Sequence, residues 1–331
     1  MNDIFEFIGN CLKSTYVELF LYLVLPVFLI VWLWKSKNRS KFGLLIKMVA
    51  IGTFILALFW TPFRESSVGY YTNYILLALF LASAVVAFIK GRGMKFFSDA
   101  TIKGIVLAIP GIISILLMGY VNVIGIRGFF YDEEPIELMF PFKNGAYAVM
   151  QGGNGASSFL ANYHYHAWKF GTEEDTLNKF STDIVKLNKF GFCFNTLDFL
   201  FNNDLPKDLN KYEMFSEPLY SPCEGEVWSV EDGNDDLDPS KNELYVPSNN
   251  IVIKYKENYY IALHHLKKES IKVALGDKVK QGQLLGEIGN SGNTTIPHLH
   301  IQVWKNEGTT YLGVPINFNG SFPVKNKVYF K

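Results

Sequence analysis

Four long apolar runs in the first 126 residues of the 331-residue chain most strongly limit what it can fold into. They occupy residues 16–34, 42–63, 70–89 and 104–126. Each run has about 20 residues, enough for a helix to cross a hydrocarbon layer of about 30 Å. A helix also satisfies its backbone hydrogen bonds internally, as a lipid environment requires. The sequence therefore predicts an all-α membrane domain of four transmembrane helices over residues 1–127.

The formal net charge of zero conceals a division between two parts of the chain. Residues 1–127 contain 12 basic and 5 acidic residues, whereas the remainder contains 19 basic and 26 acidic residues. The first and third loops between the apolar runs are basic, whereas Arg64 in the second loop is balanced by Glu65. Because basic loops stay in the cytoplasm, we expect a multi-pass protein of the cell membrane with an extracytoplasmic C-terminal domain.

The pattern changes after residue 127. Residues 128–140 are acidic and predict a linker, and residues 141–331 predict an all-β domain built on an antiparallel sheet. Short β-branched and aromatic runs alternate there with Gly, Asn and Asp, which is typical of such sheets. The runs are 145–151, 225–230, 250–255, 259–263, 271–273, 283–288, 299–303 and 314–318. Residues 176–187 have a loosely helical spacing, although their 183–185 part also suits a strand.

Composition excludes two further classes of protein. A chain that is 49% hydrophobic is too apolar to be intrinsically disordered. Three cysteines are too few for a disulfide framework or a four-cysteine zinc site. Cys193 and Cys223 both fall in the β domain, and the sequence leaves open whether they pair.

All six histidines lie in the second part of the chain, as three close pairs. His298 and His300 are separated by one residue, so in a strand both imidazoles project from the same face. They would lie about 6.5–7 Å apart along the chain. Such a pair suits a shared site, in which one ring binds a metal and the other faces a substrate. Two exposed surface histidines are the alternative interpretation.

The surroundings of these histidines carry a resemblance to a known family. Residues 276–286 precede the Gly-rich turn 289–293 and the sequence Pro297-His298-Leu299-His300, and Leu263-His264-His265-Leu266 lies upstream. Together these segments resemble the lysostaphin-like (LytM-type) zinc peptidases, bacterial enzymes that cut peptidoglycan peptides. The resemblance covers residues 220–303 well and 145–183 loosely, and it implies the lysostaphin-like peptidase fold.

The resemblance implies roles for individual histidines. His300 corresponds to a zinc ligand of the family, and His298 and His265 correspond to its two catalytic histidines. His264 precedes His265, and strand alternation predicts that it points to the opposite face as a structural or exposed residue. No His-Glu-x-x-His helix supplies a glutamate base, so histidines are the available proton acceptors.

The two remaining zinc ligands of the family are a His and an Asp, usually separated by three residues. His164 and Asp183 are the best candidates, but eighteen residues separate them. An inserted loop at 168–180 would still leave both side chains at one metal. His166 remains an alternative to His164, and Asp175 an alternative to Asp183, which we prefer because apolar residues follow it as in a strand.

These observations predict a membrane-anchored zinc endopeptidase with one Zn2+ per domain. The expected partners are peptidoglycan peptides as substrate and the lipid bilayer, with no nucleic acid. A catalytically inactive relative that binds wall peptides or regulates another hydrolase is the main alternative. A lipoyl-type carrier is disfavoured, because the hairpin at 276–286 lacks the modified lysine turn. The cleaved bond, protein partners, oligomeric state and any role of the helices beyond anchoring stay open.

Overall fold

The computed structural model describes residues 15–38, 40–60, 68–97, 102–167, 176–195, 205–239 and 246–331. Arg64, Glu65, Asp175 and the side chain of His166 lie outside the described residues. The chain divides into two compact units, Met1–Val123 and Ile124–Lys331. Cys193 and Cys223 in the second unit are both buried and are not joined by a disulfide.

The first unit is helical. Its elements are α1 (Thr15–Leu19), a π-helical turn (Phe20–Val24), α2 (Leu25–Lys35), α3 (Lys41–Ala57), a 3-10 turn (Leu58–Trp60), α4 (Thr72–Gly91) and α5 (Ile102–Arg127). By length and composition, four stretches could cross a membrane: Tyr16–Lys35, Lys41–Trp60, Thr72–Gly91 and Ala108–Arg127. The predicted apolar helices are therefore present in the described part of the chain.

Proline and serine set two of the helix boundaries in this unit. Pro26 lies in the first turn of α2, where it has no N–H to donate and its ring crowds the preceding turn. The π-helical turn at Phe20–Val24 lies immediately before it, and such widened turns accommodate irregular hydrogen bonding. Ser40 begins α3, because its side chain accepts a hydrogen bond from the Gly43 N–H at 3.1 Å.

The second unit is built from short strands. They are β1 (Ile136–Leu138), β2 (Ala146–Gln151), β3 (Thr182–Leu187), β4 (Pro218–Tyr220), β5 (Gly225–Glu231), β6 (Asn250–Lys256), β7 (Tyr259–His264), β8 (Lys278–Val279), β9 (Leu284–Glu287), β10 (Leu299–Asn306), β11 (Tyr311–Gly313), β12 (Ile316–Phe318) and β13 (Val328–Phe330). The main sheet has the order β13-β2-β3-β10-β7-β6-β5-β8, with β11 also paired to β10. All its pairs are antiparallel, so the predicted antiparallel sheet is confirmed.

Two segments differ from the sequence-based expectation. The predicted linker at 128–140 contains β1, which pairs in parallel with β12. Leu138 and Phe140 are 3% and 2% exposed in the core, because residues at alternate positions of an extended chain face the same side. Residues 271–273 are not a strand; Lys272 N–H donates to the Leu285 carbonyl at 2.8 Å.

Strand β10 runs through the centre of the main sheet and organises its two faces. Leu299, Ile301 and Val303 belong to the hydrophobic core. His300 and Gln302 alternate with them and therefore project from the opposite face. Across the neighbouring strands, His300 is paired with Asp183 of β3 and His264 of β7. The register thus gathers one carboxylate and two imidazoles in a single row across three strands.

The core beneath this row yields a stability prediction. Leu263 of β7 is 0% exposed, whereas Leu275 in a surface turn is 72% exposed. We expect Leu263→Ala to lower the free energy of unfolding by about 2–5 kcal/mol, because it removes buried apolar contacts and leaves a cavity. The matched control Leu275→Ala should stay within about 0.5 kcal/mol. Chemical denaturation of the full-length chain in detergent measures both, and equal effects would contradict the assigned core.

Candidate metal centre

Asp183 and His300 form the base of the site on neighbouring strands. His300 Nδ1 lies 2.9 Å from Asp183 Oδ1, and His300 Nε2 lies 3.1 Å from Gln302 Oε1. The Gln302 oxygen can only accept, so the His300 tautomer with the proton on Nε2 donates to Gln302. Ser181 Oγ donates to the same oxygen at 2.9 Å. In that tautomer, His300 Nδ1 has its lone pair on the side of Asp183, as a metal ligand requires.

His164 reaches the same carboxylate from the other side. It is the first residue of a short helical turn, α6 (His164–Ala167), and its Nε2 lies 3.1 Å from Asp183 Oδ2. Nδ1 of His164 lies 2.9 Å from Asn162 Oδ1, so the tautomer with the proton on Nδ1 donates to Asn162 and has the Nε2 lone pair on the side of Asp183.

Asn162 connects the segment that carries His164 to the start of the strand that carries Asp183. Its side chain is 0% exposed and donates to the carbonyls of Gly153 at 2.8 Å and Ser181 at 3.0 Å. Ser181 lies two residues before Asp183, so the loop that carries His164 is fastened to the start of β3. The sequence predictions did not include Asn162, because the contact depends on tertiary structure rather than on spacing.

His164, Asp183 and His300 together form a group that could hold a metal ion, with one ligand atom from each residue within 4.8 Å of the others. Two imidazoles and one carboxylate are a donor set found in catalytic zinc sites. Both imidazoles are also held by amide oxygens on their second nitrogen, as metal-binding histidines usually are. The residues present therefore fit a zinc ion.

His298 and His265 lie beside this group with equivalent hydrogen bonding. His298 Nδ1 lies 2.7 Å from the Ile296 carbonyl, and His265 Nδ1 lies 2.8 Å from the Ser291 carbonyl. Carbonyls only accept, so the neutral tautomer of each ring that donates to its carbonyl carries the proton on Nδ1 and has the lone pair on Nε2. The two ring centroids are 4.6 Å apart, and His298 Nε2 lies 3.4 Å from Asp183 Oδ1.

His264 is placed differently from the sequence prediction. Its ring centroid lies 5.5 Å from that of His300, on the same face as the site. His265 does not continue the strand, because its φ of 65° is left-handed and interrupts the alternation of side chains. The prediction that His264 points away from His265 was therefore wrong: both rings face His300, with centroids 5.5 and 5.9 Å from it.

Burial and charge set the protonation of the central groups. Burial alone would raise the pKa of Asp183, but the charges and hydrogen bonds of His164 and His298 hold it well below its usual range. For His298, burial acts to lower the pKa, and the negative charge of Asp183 outweighs it and raises the pKa. Asp183 is consequently an ionised carboxylate although it is only 6% exposed.

The pKa values of the two adjacent histidines, His264 and His265, are lowered, in contrast to the pKa of His298. Burial is the main cause in both cases, followed by the charges of neighbouring histidines. It lowers the pKa of His264 to about 3, with a further contribution from His300. It holds the pKa of His265 well below its usual range, with contributions first from His298 and then from His300. Both rings are therefore neutral around pH 7.

A buried polar network fixes the loops that carry His265 and His298. Asn249 is 0% exposed; its side chain donates to the carbonyls of Asn234 and Leu266 at 2.9 and 3.0 Å and accepts from the Asn234 N–H at 2.9 Å. Ser248 Oγ accepts from the His265 N–H at 3.0 Å. Gly292 has a φ of 86°, and a Cβ there would lie 2.6 Å from the Ser248 Cβ, so a glycine is required at this close approach.

Comparison with known proteins identifies the family of one segment of the second unit. Residues 212–311 match the model of Peptidase family M23, and this segment includes His265, His298 and His300. The chain therefore contains a Peptidase family M23 domain, as the resemblance to lysostaphin-like peptidases predicted. His164 and Asp183 lie outside the matched segment.

Individual relatives are similar to short parts of the chain. The chain is 46% identical over 56 residues, 17% of its length and 14% of the relative, to an uncharacterized metalloprotease of Buchnera aphidicola. It is 32% identical over 82 residues, 25% of its length and 18% of the relative, to the peptidoglycan DD-endopeptidase ShyC of Vibrio cholerae. The chain thus spans less than a fifth of the length of either relative. Among solved structures, the catalytic domain of lysostaphin from Staphylococcus simulans matches at 21% identity over 33% of this chain and 82% of that chain, with a TM-score of 0.23.

The polar network around Asn249 gives a second stability prediction. We expect Asn249→Ala to lower the free energy of unfolding by about 1–3 kcal/mol, because three side-chain hydrogen bonds of a fully buried residue are lost. Asn258 lies exposed in the turn between β6 and β7, and Asn258→Ala should change stability by less than about 0.5 kcal/mol. Denaturation of the full-length variants in detergent compares the two, and an Asn249→Ala chain as stable as the control would refute the role given to this network.

Proposed function

We propose that the protein is a membrane-anchored zinc metalloendopeptidase that hydrolyses peptide bonds in peptidoglycan. The main observation behind the proposal is that His164 Nε2 and His300 Nδ1 lie 3.1 and 2.9 Å from the two carboxylate oxygens of Asp183. His265 and His298 stand beside this group with their Nε2 atoms available. The M23 domain supplies the reaction class, because members of that family are zinc-dependent peptidases.

His164, Asp183 and His300 are the proposed zinc ligands. Their lone pairs are directed by the hydrogen bonds of Asn162 and Gln302, so the imidazoles need no reorientation when a cation enters. When bound, zinc lowers the pKa of a coordinated water toward about 7 and polarises the scissile carbonyl. A cation at this position would also compensate the buried negative charge of Asp183.

His265 and His298 are the proposed catalytic residues. In the neutral tautomer that donates from Nδ1 to the carbonyl, Nε2 of each ring can accept a proton from the attacking water. Once protonated, the same atom can donate a hydrogen bond to the developing oxyanion or return the proton to the leaving amine. The carbonyls of Ser291 and Ile296 keep the rings in orientation through these steps.

The cellular setting is also part of the proposal. The four candidate spans would anchor the protein, and the basic residues of the first and third loops favour a cytoplasmic position for those loops. The metal centre would then face outward, on the side where peptidoglycan lies. One relative is a peptidoglycan DD-endopeptidase, which favours peptidoglycan peptides as the substrate.

Substitution of His265 gives a direct test, since asparagine tolerates the left-handed backbone at this position. We expect His265→Asn to lower kcat/KM by about 10²–10⁴-fold, because a proton-transfer group is lost, while the zinc content and thermal midpoint are retained. The assay is the release of free amino groups from purified peptidoglycan by the zinc-loaded full-length chain in detergent.

Glu269 provides the matched control, because it also has a left-handed φ, of 57°, and lies exposed four residues further on. Glu269→Asn should leave kcat/KM unchanged. Full activity in His265→Asn, or an equal loss in both variants, would contradict the role proposed for His265.

A further inference from the structure

Three aromatic side chains form a continuous row across the main sheet, here termed the aromatic ladder: Trp228, Tyr260 and Trp304. The rings of Tyr260 on β7 and Trp304 on β10 are stacked, with centroids 5.8 Å apart and an interplanar angle of 14°. Trp228 on β5 meets Tyr260 edge-on, with centroids 5.2 Å apart. Such offset and edge-on geometries are the favourable ones for aromatic pairs, so the ladder is a preformed surface.

A β-bulge exposes the outermost ring of the ladder. The register between β5 and β6 shifts between Val227 and Ser229, which leaves Trp228 as the residue with no direct partner on β6. Val227 is buried in the core, so Trp228 projects from the opposite face. Bulges commonly redirect a side chain in this way. Trp228 consequently contacts Tyr260 across β6 and remains 53% exposed.

The ladder and the candidate metal centre share one face of one strand. His300, Gln302 and Trp304 follow each other at alternate positions of β10 and point away from the core. Four residues of extended chain place Trp304 about 13 Å from His300. An extended substrate that lies along β10 from the metal centre therefore reaches the ladder after about four residues.

A cleft of about 140 Å³ lies at the ladder. It is lined by the three ladder residues together with Leu177, Asn306 and Tyr311. Hydrogen bonds hold the side of the cleft that contains Leu177 and Tyr311. Thr176 Oγ1 donates to the Tyr311 carbonyl at 3.1 Å, and the Gly313 N–H donates to the Thr176 carbonyl at 2.9 Å. Exposed aromatic surface with a polar group at its rim is typical of a binding site.

We propose that the aromatic ladder is a glycan subsite, which binds an N-acetylated sugar ring of the strand that bears the scissile peptide. This inference rests on the proposed function. The cleft suits a sugar rather than a peptide terminus because none of the described residues that line it is charged. A pyranose ring presents an apolar C–H face that can cover an aromatic ring, and its acetamide group can hydrogen-bond the side-chain amide of Asn306. The separation of about 13 Å also matches a short stem peptide between the sugar and the cleaved bond.

The first test is binding of a peptide-free N-acetylglucosamine tetramer, measured by calorimetry on the zinc-loaded full-length chain in detergent. We expect saturable binding with a Kd of about 1 mM or lower. Trp228→Ala should raise the Kd about tenfold, because the exposed stacking surface is lost. Phe330 is 72% exposed on β13 at the other end of the sheet, and Phe330→Ala should leave the Kd unchanged. No binding by the unmodified chain, or equal binding by Trp228→Ala, would overturn the subsite.

The second test compares cleavage of a muropeptide with cleavage of the same peptide after removal of its sugars. For the glycan-bearing substrate, Trp228→Ala should raise KM about tenfold with kcat unchanged, and for the bare peptide it should change neither. An equal rise of KM for both substrates would assign the ladder to the peptide and overturn the proposal. Tetramer binding without any cleavage would refute the proposed function and leave the glycan subsite supported. Cleavage without tetramer binding would refute the glycan subsite and leave the proposed function supported.

Discussion

The buried negative charge of Asp183 is the constraint on which the rest of the site depends. An ionised carboxylate that is 6% exposed is costly unless hydrogen bonds and opposite charge compensate it. The protein supplies that compensation from separate parts of the chain: His300 and His298 from β10 and the residues just before it, and His164 from a loop before β3. The sheet register that pairs Asp183 with His300 therefore determines both the local stability and the chemistry of the centre.

In each of the four histidines of the site, the ring nitrogen that faces away from Asp183 lies beside a hydrogen-bond acceptor. Side-chain amide oxygens hold His164 and His300, and main-chain carbonyls hold His265 and His298. This division matches the roles we propose, since metal ligands and proton carriers both need one nitrogen fixed and the other available. Gln302 lies on the strand between His300 and the aromatic ladder, so the same alternation that orients the ligand also extends the face along which a substrate would lie.

The parts of this arrangement that depend on local periodicity could be predicted from the sequence. The two-residue spacing of His298 and His300 predicted a shared site, and the apolar residues after Asp183 predicted its strand. Long-range contacts could not be predicted: the sequence does not show that Asn162 fastens the His164 loop beside β3. Strand alternation failed at His265, because the left-handed backbone of this residue turns its own side chain to the same face as that of His264.

The central claim is that His164, Asp183 and His300 form one metal centre despite the long separation of the first two in sequence. The most direct measurement is the zinc stoichiometry and affinity of the full-length chain in detergent, by equilibrium dialysis and elemental analysis. His164→Ala is compared with His166→Ala, two residues away. The account predicts one zinc per chain for the unmodified protein and His166→Ala, and at least tenfold weaker binding for His164→Ala, about 1.4 kcal/mol. Unchanged binding in His164→Ala, or its loss in His166→Ala, would contradict the account.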